Sequence, residues 1–177
     1  MTFSIDGGSR GNPGPAGYGV HVVDAAGQIV DELYGAIGIA TNNVAEYSGL
    51  VAALRYAIDH GCRDITIRSD SLLLVCQMKG EYRVKNPGLK ALHADARALV
   101  NRLGRVRFVH VRREENAEAD ALANKAMDEE KKQAAFAPTT LSELRRATAP
   151  KGARSSKQEG GMPKKEPGSW PPTGRLF

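Results

Sequence analysis

The opening stretch FSIDGGSRGNPGPAGYG, residues 3–19, decides the fold of this chain. Apolar and polar side chains alternate up to Asp6, which is the period of a β-strand, although aspartate is a poor strand former. The run of Gly, Ser, Arg, Asn and Pro that follows predicts a turn, after which a second apolar strand begins at Gly17. We therefore expect an acid inside the first strand, near its end and on the same face as Ser4.

Beyond this stretch, strand-like and helix-like periods follow one another in the order βββαβααβα. The first three strands are joined by short turns and form an antiparallel meander, whereas the last two are reached through helices. This order predicts an α/β protein with a mixed five-stranded sheet, three antiparallel strands followed by two parallel ones, flanked by helices. Strands are predicted over residues 2–7, 17–24, 28–38, 64–70 and 105–111, and helices over residues 42–61, 71–80, 86–104 and 115–136.

The periodic pattern stops near residue 137, and we expect one domain over residues 1–136. Residues 137–177 form a basic tail rich in Pro and Gly, and this composition predicts disorder. Eight Lys or Arg and three Glu lie beyond residue 132, whereas the earlier residues hold seventeen of each sign, so the net charge of +5 belongs to the tail. A basic tail suits a polyanion such as nucleic acid, and a solvated end is an alternative that charge alone leaves open.

Composition also sets expectations about location. No window of the sequence reaches the ~18 apolar residues of a membrane span, and the N-terminus lacks the basic start and apolar core of a signal peptide. The two cysteines, Cys62 and Cys76, do not have the spacing of a metal site. We therefore expect reduced thiols, a cytoplasmic location, no membrane partner and a monomeric protein.

Four carboxylates occupy positions that have an ordinary structural explanation and also a chemical one. Asp6 fits a turn at a strand end, and Glu46 fits a helix capping box with Asn43. Asp70 directly follows one strand and precedes a helix, where it fits an N-cap. Asp120 fits a solvated charge at the border of the apolar stripe of the last helix. Each explanation is sufficient for one residue, but the four acids lie on four different elements.

The predicted sheet suggests that these four acids converge. If the first strand is central and the strand ending at Asp70 lies beside it, Asp6 and Asp70 are neighbours, and Glu46 and Asp120 overhang them from two helices. Crowded carboxylates repel one another unless cations neutralise them, and oxygen ligands suit Mg²⁺ or, in its place, Mn²⁺. Two such ions, about 3.5–4 Å apart, suit displacement at a phosphodiester.

Four segments, IDGGSRGNPGPAGYG, TNNVAEYSGLVAAL, IRSDS and REENAEADALANKA, together resemble the type 1 ribonucleases H over about residues 1–130. The resemblance implies the ribonuclease H-like fold and an endonuclease that hydrolyses the RNA strand of RNA/DNA hybrids, leaving 3′-hydroxyl and 5′-phosphate ends. It also implies two Mg²⁺ ions, held by Asp6, Glu46, Asp70 and Asp120.

The same resemblance implies a set of substrate contacts. The positions that match residues contacting the hybrid are Gly11, Asn12, Asn42 and Asn43. Those that match a pocket for a phosphate of the DNA strand are Thr41 and Asn86. Asparagine amides can donate and accept hydrogen bonds in a minor groove that displays 2′-hydroxyls. Helix capping by Asn42 or Asn43 is an alternative that is compatible with substrate contact.

Two departures from the family pattern are visible. Many bacterial members have a basic handle between the two middle helices, whereas only KGEYRVKNPG spans that gap here. Many also have a histidine in the loop before the last carboxylate, which is shortened here to RREEN. His110 precedes this loop as a predicted strand residue, and Arg112, Arg113 and Glu115 are open as substitutes. The short form resembles the archaeal-like and reverse-transcriptase-associated branch, in which duplex RNA is open as a further substrate.

Two other classes of function compete with this interpretation. A non-catalytic nucleic-acid-binding module could keep the fold, but it would have no need for all four carboxylates. An exonuclease or an integrase-like protein could share the sheet and the acids, but it would not need the segments RGNPG and TNN, which suit detection of a 2′-hydroxyl.

Overall fold

The computed structural model describes the backbone of residues 1–136 and the side chains of residues 1–129. The predicted order βββαβααβα is confirmed, with a short 3₁₀ turn, Arg113–Asn116, before the last helix. The prediction of a separate, disordered tail concerns residues outside this range, so the division into domains stays a prediction. The strands are β1 (Thr2–Ser9), β2 (Gly14–Val23), β3 (Ile29–Ala40), β4 (Asp64–Ser69) and β5 (Arg105–His110). The helices are α1 (Asn42–Asp59), α2 (Leu72–Lys79), α3 (Pro87–Arg102) and α4 (Ala117–Phe136).

The sheet has the predicted mixed topology, with the strand order β3-β2-β1-β4-β5. Strand β1 pairs antiparallel with β2, which pairs antiparallel with β3, and β4 and β5 run parallel to β1. In this register Ile5 lies opposite Ser69, the last residue of β4. Asp6 follows Ile5 and Asp70 follows Ser69, so the two acids lie side by side at the carboxyl end of β4.

The apolar core lies between one face of the sheet and helix α1. Phe3, Ile5, Ile65 and Ile67 project from the two central strands and are fully buried, as is Leu54 of the helix. Complete burial of each such side chain stabilises the fold by roughly 1.5–3 kcal/mol. Helix α3 packs on α1, and α4 covers the opposite face over β1, β2 and β3. This arrangement fixes the two helices that carry predicted site residues against the central strand.

The first strand is longer than predicted, and the difference places Asp6 further from its end. Strand β1 continues to Ser9, because Gly8 and Ser9 keep pairing with Gly17 and Ala16 of β2. Small residues interrupt the apolar pattern, but they do not interrupt the backbone ladder. The interpretation that Asp6 lies inside a strand is therefore confirmed, with a side chain that is 8% exposed, and the alternative that it serves in a strand-end turn is wrong.

Within residues 1–136, no helix combines the length and the apolar character needed to cross a membrane. Cys62 and Cys76 are both free thiols, and Cys76 is buried.

Candidate active site

Three of the four predicted acids form a tight cluster at the edge of the sheet. Each of Asp6, Glu46 and Asp70 offers a carboxylate oxygen, and these oxygens all lie within 4.8 Å of one another. They come from the middle of β1, the N-terminal part of α1 and the position directly after β4. The cluster is therefore formed by three elements that are distant in sequence and that only the folded sheet brings together.

Two glycines allow the helices to approach closely enough to form the site. A Cβ atom on Gly7 would lie 2.2 Å from the backbone nitrogen of Glu46, and one on Gly19 would lie 2.3 Å from the carbonyl oxygen of Ala119. Gly7 follows Asp6 in the chain, and Gly19 lies opposite it in β2. A larger residue at either position would push a helix, and the acid that it carries, away from Asp6.

The fourth acid, Asp120, borders the same cavity from helix α4. The cavity has a volume of about 310 Å³ and is lined by all four acids, together with Asn42 and Arg113 among other residues. A guanidinium nitrogen of Arg113 donates to Asp120 Oδ1 at 2.8 Å, and Asn124 Nδ2 donates to Oδ2 at 2.9 Å. These two partners hold both oxygens of Asp120, which shows that the alternative of a purely solvated surface charge is wrong.

Burial and mutual repulsion perturb the acids of the cluster. Burial, followed by the charges of Asp70 and Asp120, raises the pKa of Asp6 to about 6. Burial and the charges of Asp6 and Asp70 raise the pKa of Glu46 well above its ordinary value. The buried Oε2 atom of Glu46 has no hydrogen-bond partner among the described residues. A divalent cation would supply the missing partner and relieve the repulsion, so the donor set fits a hard cation with oxygen ligands.

Residues 4–126 match a family model described as reverse transcriptase-like. The solved structure of RNase H1 from the halophilic archaeon Halobacterium salinarum NRC-1 is similar to this chain, with a TM-score of 0.70 and 44% sequence identity, covering 72% of this chain and 97% of that one. This chain belongs to the ribonuclease H-like family.

Two further relatives place this ribonuclease H-like domain among proteins of different length. The bifunctional protein Rv2228c of Mycobacterium tuberculosis is 48% identical over 129 residues, which cover 72% of this chain and 35% of that protein. The chain therefore spans about a third of the length of this relative. The solved LC11-RNase H1 in complex with an RNA/DNA hybrid is 41% identical, with a TM-score of 0.71, and covers 73% of this chain and 98% of that one.

The caps of the helices in this ribonuclease H-like domain differ from the alternatives that the sequence left open. Thr41, not Asn42 or Asn43, caps α1, since its hydroxyl accepts from the amide of Val44 at 3.4 Å. The capping box proposed for Glu46 and Asn43 is therefore wrong. Ser71, not Asp70, caps α2. Thr41 and Ser71 serve as the N-caps, and the side chains of Glu46 and Asp70 line the carboxylate cavity.

Hydrogen bonds join three of the predicted substrate contacts, which lie in the β1–β2 loop and at the start of α1. Asn42 Oδ1 accepts from the backbone amide of Ser9 at 2.8 Å and from its hydroxyl at 2.6 Å. The amide of Asn42 in turn donates to Asn12 Oδ1 at 3.3 Å. The Ser9 hydroxyl also contacts the carbonyl of Gly11, whose φ of 105° is a conformation that favours glycine. Asn42 and Ser9 line the carboxylate cavity, and hydrogen bonds connect Gly11 and Asn12 to them.

Two of the other three predicted contacts, Asn43 and Asn86, line a second cavity of about 570 Å³ between α1 and the α2–α3 loop. The third, Thr41, caps α1. Asn86 also caps α3, because its Oδ1 accepts from the amide of Gly88 at 2.8 Å. Asn43 in this cavity and Glu46 in the carboxylate cavity lie one turn apart on α1.

The second cavity also contains residues that sequence reasoning did not select. Tyr82 is 52% exposed, and Arg83 and Lys85 are exposed beside it. Neither cation forms an ion pair with a carboxylate among the described side chains. The segment KGEYRVKNPG contains these aromatic and basic residues, but comparison with the family pattern draws attention only to the missing handle.

The short loop before α4 contributes two side chains to the site. Of the three substitutes considered for the loop histidine, Arg113 lines the carboxylate cavity, whereas Glu115 accepts from the backbone amide of Arg112 at 3.1 Å. His110 is a strand residue, as predicted, and its Nε2 lies 3.2 Å from the backbone carbonyl oxygen of Asp70. Asn116, which sequence reasoning missed, is buried and contacts Asp70. The sequence pattern predicts a helix over residues 115–136, which places Asn116 in the first turn of that helix.

Proposed function

We propose that this ribonuclease H-like domain is an endonuclease that hydrolyses the RNA strand of RNA/DNA hybrids with two divalent cations, leaving 3′-hydroxyl and 5′-phosphate ends. The convergence of Asp6, Glu46 and Asp70 within 4.8 Å is the observation that carries the proposal. Similarity to a ribonuclease H solved with an RNA/DNA hybrid supports the choice of substrate.

Asp6, Glu46 and Asp70 would hold the cations, with Asp120 contributing from the opposite wall of the cavity. Mg²⁺, or Mn²⁺ in its place, would lower the pKa of the attacking water and stabilise charge on the leaving oxygen. Arg113 brings a positive charge to the same cavity while it holds Asp120 at 2.8 Å. We assign Arg113 the task of orienting Asp120 and attracting the anionic substrate to the acids.

The hydrogen-bonded residues Ser9, Gly11, Asn12 and Asn42 would contact the RNA strand. Ser9 and Asn42 line the carboxylate cavity, and the small residues of the β1–β2 loop leave backbone amides and carbonyls accessible to a ribose. A 2′-hydroxyl both donates and accepts hydrogen bonds, so it can pair with an asparagine amide or with these backbone groups. A DNA strand at this position has no 2′-hydroxyl to make these additional hydrogen bonds, which favours RNA as the strand that is cut.

The second cavity would hold the uncut DNA strand. Asn43 of this cavity lies one turn along α1 from Glu46 of the acid cluster, so one duplex can contact both cavities. Arg83 and Lys85 can pair with phosphates, and the exposed ring of Tyr82 offers an apolar surface for a sugar or a base. This loop would take over part of the grip that a basic handle supplies in other members of the family. The predicted phosphate contact of Thr41 stays a prediction.

A hybrid labelled in the RNA strand and blocked at both ends tests the proposed activity. With Mg²⁺ we expect the wild-type protein to cleave the RNA strand internally and to leave products that a polymerase can extend from a 3′-hydroxyl. We expect no cleavage with EDTA and none by Asp70→Asn. Asn101→Asp, which changes an exposed side chain of α3, is the control. Binding without metal-dependent cleavage by the wild-type protein would instead support a non-catalytic module, and cutting only of unblocked ends would support an exonuclease.

The same assay with duplex RNA determines how strictly the DNA strand is required. A cytoplasmic location and a monomeric state stay predictions from composition.

A further inference from the structure

Asn116 is one of the few polar side chains that are buried in this domain, with an exposure of 1%. It is the last residue of the 3₁₀ turn and directly precedes helix α4. Its Nδ2 donates to the carbonyl oxygen of Ile5 at 2.9 Å and to Asp70 Oδ1 at 3.3 Å. A single amide group therefore contacts two of the strands that meet at the acid cluster.

The orientation of this amide is determined by its surroundings. Rotation by 180° would place the Asn116 carbonyl oxygen against two other acceptors, the Ile5 carbonyl oxygen and the Asp70 carboxylate. The Nδ2 group must therefore face the site. In this orientation the Oδ1 atom of Asn116 is buried without a hydrogen-bond partner among the described residues. A buried acceptor without a partner is unfavourable for folding, so stability alone does not explain an asparagine here.

The contacts of Asn116 connect it to two of the four acids, and a third lies one turn further along the chain. Ile5 precedes Asp6 in β1, Asp70 is contacted directly, and Asp120 follows Asn116 by one turn in α4. We propose that Asn116 is a positioning residue for the cation site, which holds Asp70 Oδ1 and thereby presents the other oxygen of Asp70 to the cation. This inference rests on the proposed function, because it concerns the metal-binding step of that same site.

The direct test is calorimetric titration of the full chain with MnCl₂ in the absence of nucleic acid. We expect Asn116→Ala and the nearly isosteric Asn116→Leu to weaken Mn²⁺ binding about 10- to 100-fold, which is typical when a partner of a metal ligand is removed. Asn101→Ala, at an exposed position of α3, should bind like the wild type. Wild-type affinity in variants that circular dichroism shows to be folded would overturn the proposal, because a purely space-filling role is preserved by leucine.

A second measurement does not depend on the variants folding. In the wild-type protein, the side-chain amide resonances of Asn116 should shift on titration with MgCl₂, with the same midpoint as the heat of binding, whereas those of Asn101 should not. An Asn116 amide that stays unperturbed while the cation binds would overturn the inference.

Hybrid cleavage separates this inference from the proposed function. Loss of Mg²⁺ affinity through Asn116 substitution, with an unchanged KM for the hybrid, supports the positioning role. If the wild-type protein cuts the hybrid and the variants have its Mg²⁺ dependence, only the positioning role fails. If the wild-type protein neither binds Mn²⁺ nor cuts the hybrid, both proposals fail.

Discussion

The two cavities on this face of the domain have opposite chemistry. The carboxylate cavity combines buried acids whose pKa values are raised, whereas the second cavity presents the exposed side chains of Tyr82, Arg83 and Lys85. Asn43 and Glu46, one turn apart on α1, lie where the two regions meet. The comparison teaches that chemistry and grip have different requirements. Burial of the acids favours binding of a metal cation that neutralises them. The exposed basic side chains can reach phosphates, but salt screens their charge.

The largest expected effect tests whether the acids serve chemistry at the expense of stability. Glu46→Gln removes a charge from a crowded, buried site, so we expect loss of cleavage on the order of 10³-fold. The same change should raise the free energy of unfolding of the metal-free protein by about 1–2 kcal/mol, because repulsion is relieved. Rate assays and urea denaturation at neutral pH measure both effects. A variant that is less stable and still active would contradict the comparison.

The next effect concerns the pH dependence of stability in the absence of metal. Because the pKa of Asp6 is raised to about 6 in the folded protein, the folded state binds more protons than the unfolded state at mildly acidic pH. The stability contributed by this group is therefore present at pH 4 and lost as the pH rises through 6, by on the order of 2–3 kcal/mol.

Urea denaturation between pH 4 and pH 8, with EDTA, measures this loss. Asp6→Asn should flatten the profile, and Mg²⁺ should restore stability to the wild-type protein at the upper end. An equal slope for the two proteins would show that Asp6 does not titrate in this range.

A smaller effect is expected at Arg113, which borders the carboxylate cavity. Arg113→Ala should lower kcat by roughly 10- to 100-fold, because Asp120 loses a partner at 2.8 Å, and Arg113→Lys should recover part of the rate. The neighbouring Arg112→Ala is the matched comparison and should change kcat little. Steady-state kinetics at saturating Mg²⁺ distinguish the two arginines, and an equal loss in both would show that the loop acts only through its net charge.

The smallest effect is expected in the second cavity. The double change Arg83→Ala and Lys85→Ala should raise KM for the hybrid several-fold and leave kcat unchanged. The slope of the logarithm of the binding constant against the logarithm of the salt concentration should become shallower by about one to two, because binding with fewer phosphate contacts releases fewer counterions. Arg102→Ala, at the far end of α3, is the control. An unchanged salt slope would remove this loop from the substrate interface.

Sequence patterns predicted most of the fold because the patterns are local. The 3.6-residue and two-residue periods identified all nine predicted helices and strands, and the placement of the first strand beside the one ending at Asp70 is confirmed. The errors lie where a local rule has several equivalent solutions. Thr41 and Asn43 are both good capping residues, and only the geometry of the loop selects Thr41.

The candidate site was predictable in composition but not in geometry. Asp6, Glu46, Asp70 and Asp120 could be selected because each acid has an unusual position: inside a strand, directly after a strand, or at the border of the apolar stripe of a helix. Asn116 could not be selected, since its partners, the Ile5 carbonyl and the Asp70 carboxylate, are distant in sequence. Hydrogen bonds of this kind leave no periodic signal.

The sequence by itself determined the order of the elements, the identity of the four acids and the resemblance to the ribonuclease H family, because each of these is written in short segments. Only the tertiary structure decided how close the acids come and which residues hold them. The reason is steric and electrostatic. The absence of side chains at Gly7 and Gly19 lets two helices close on β1, and the burial that follows raises the pKa of Asp6.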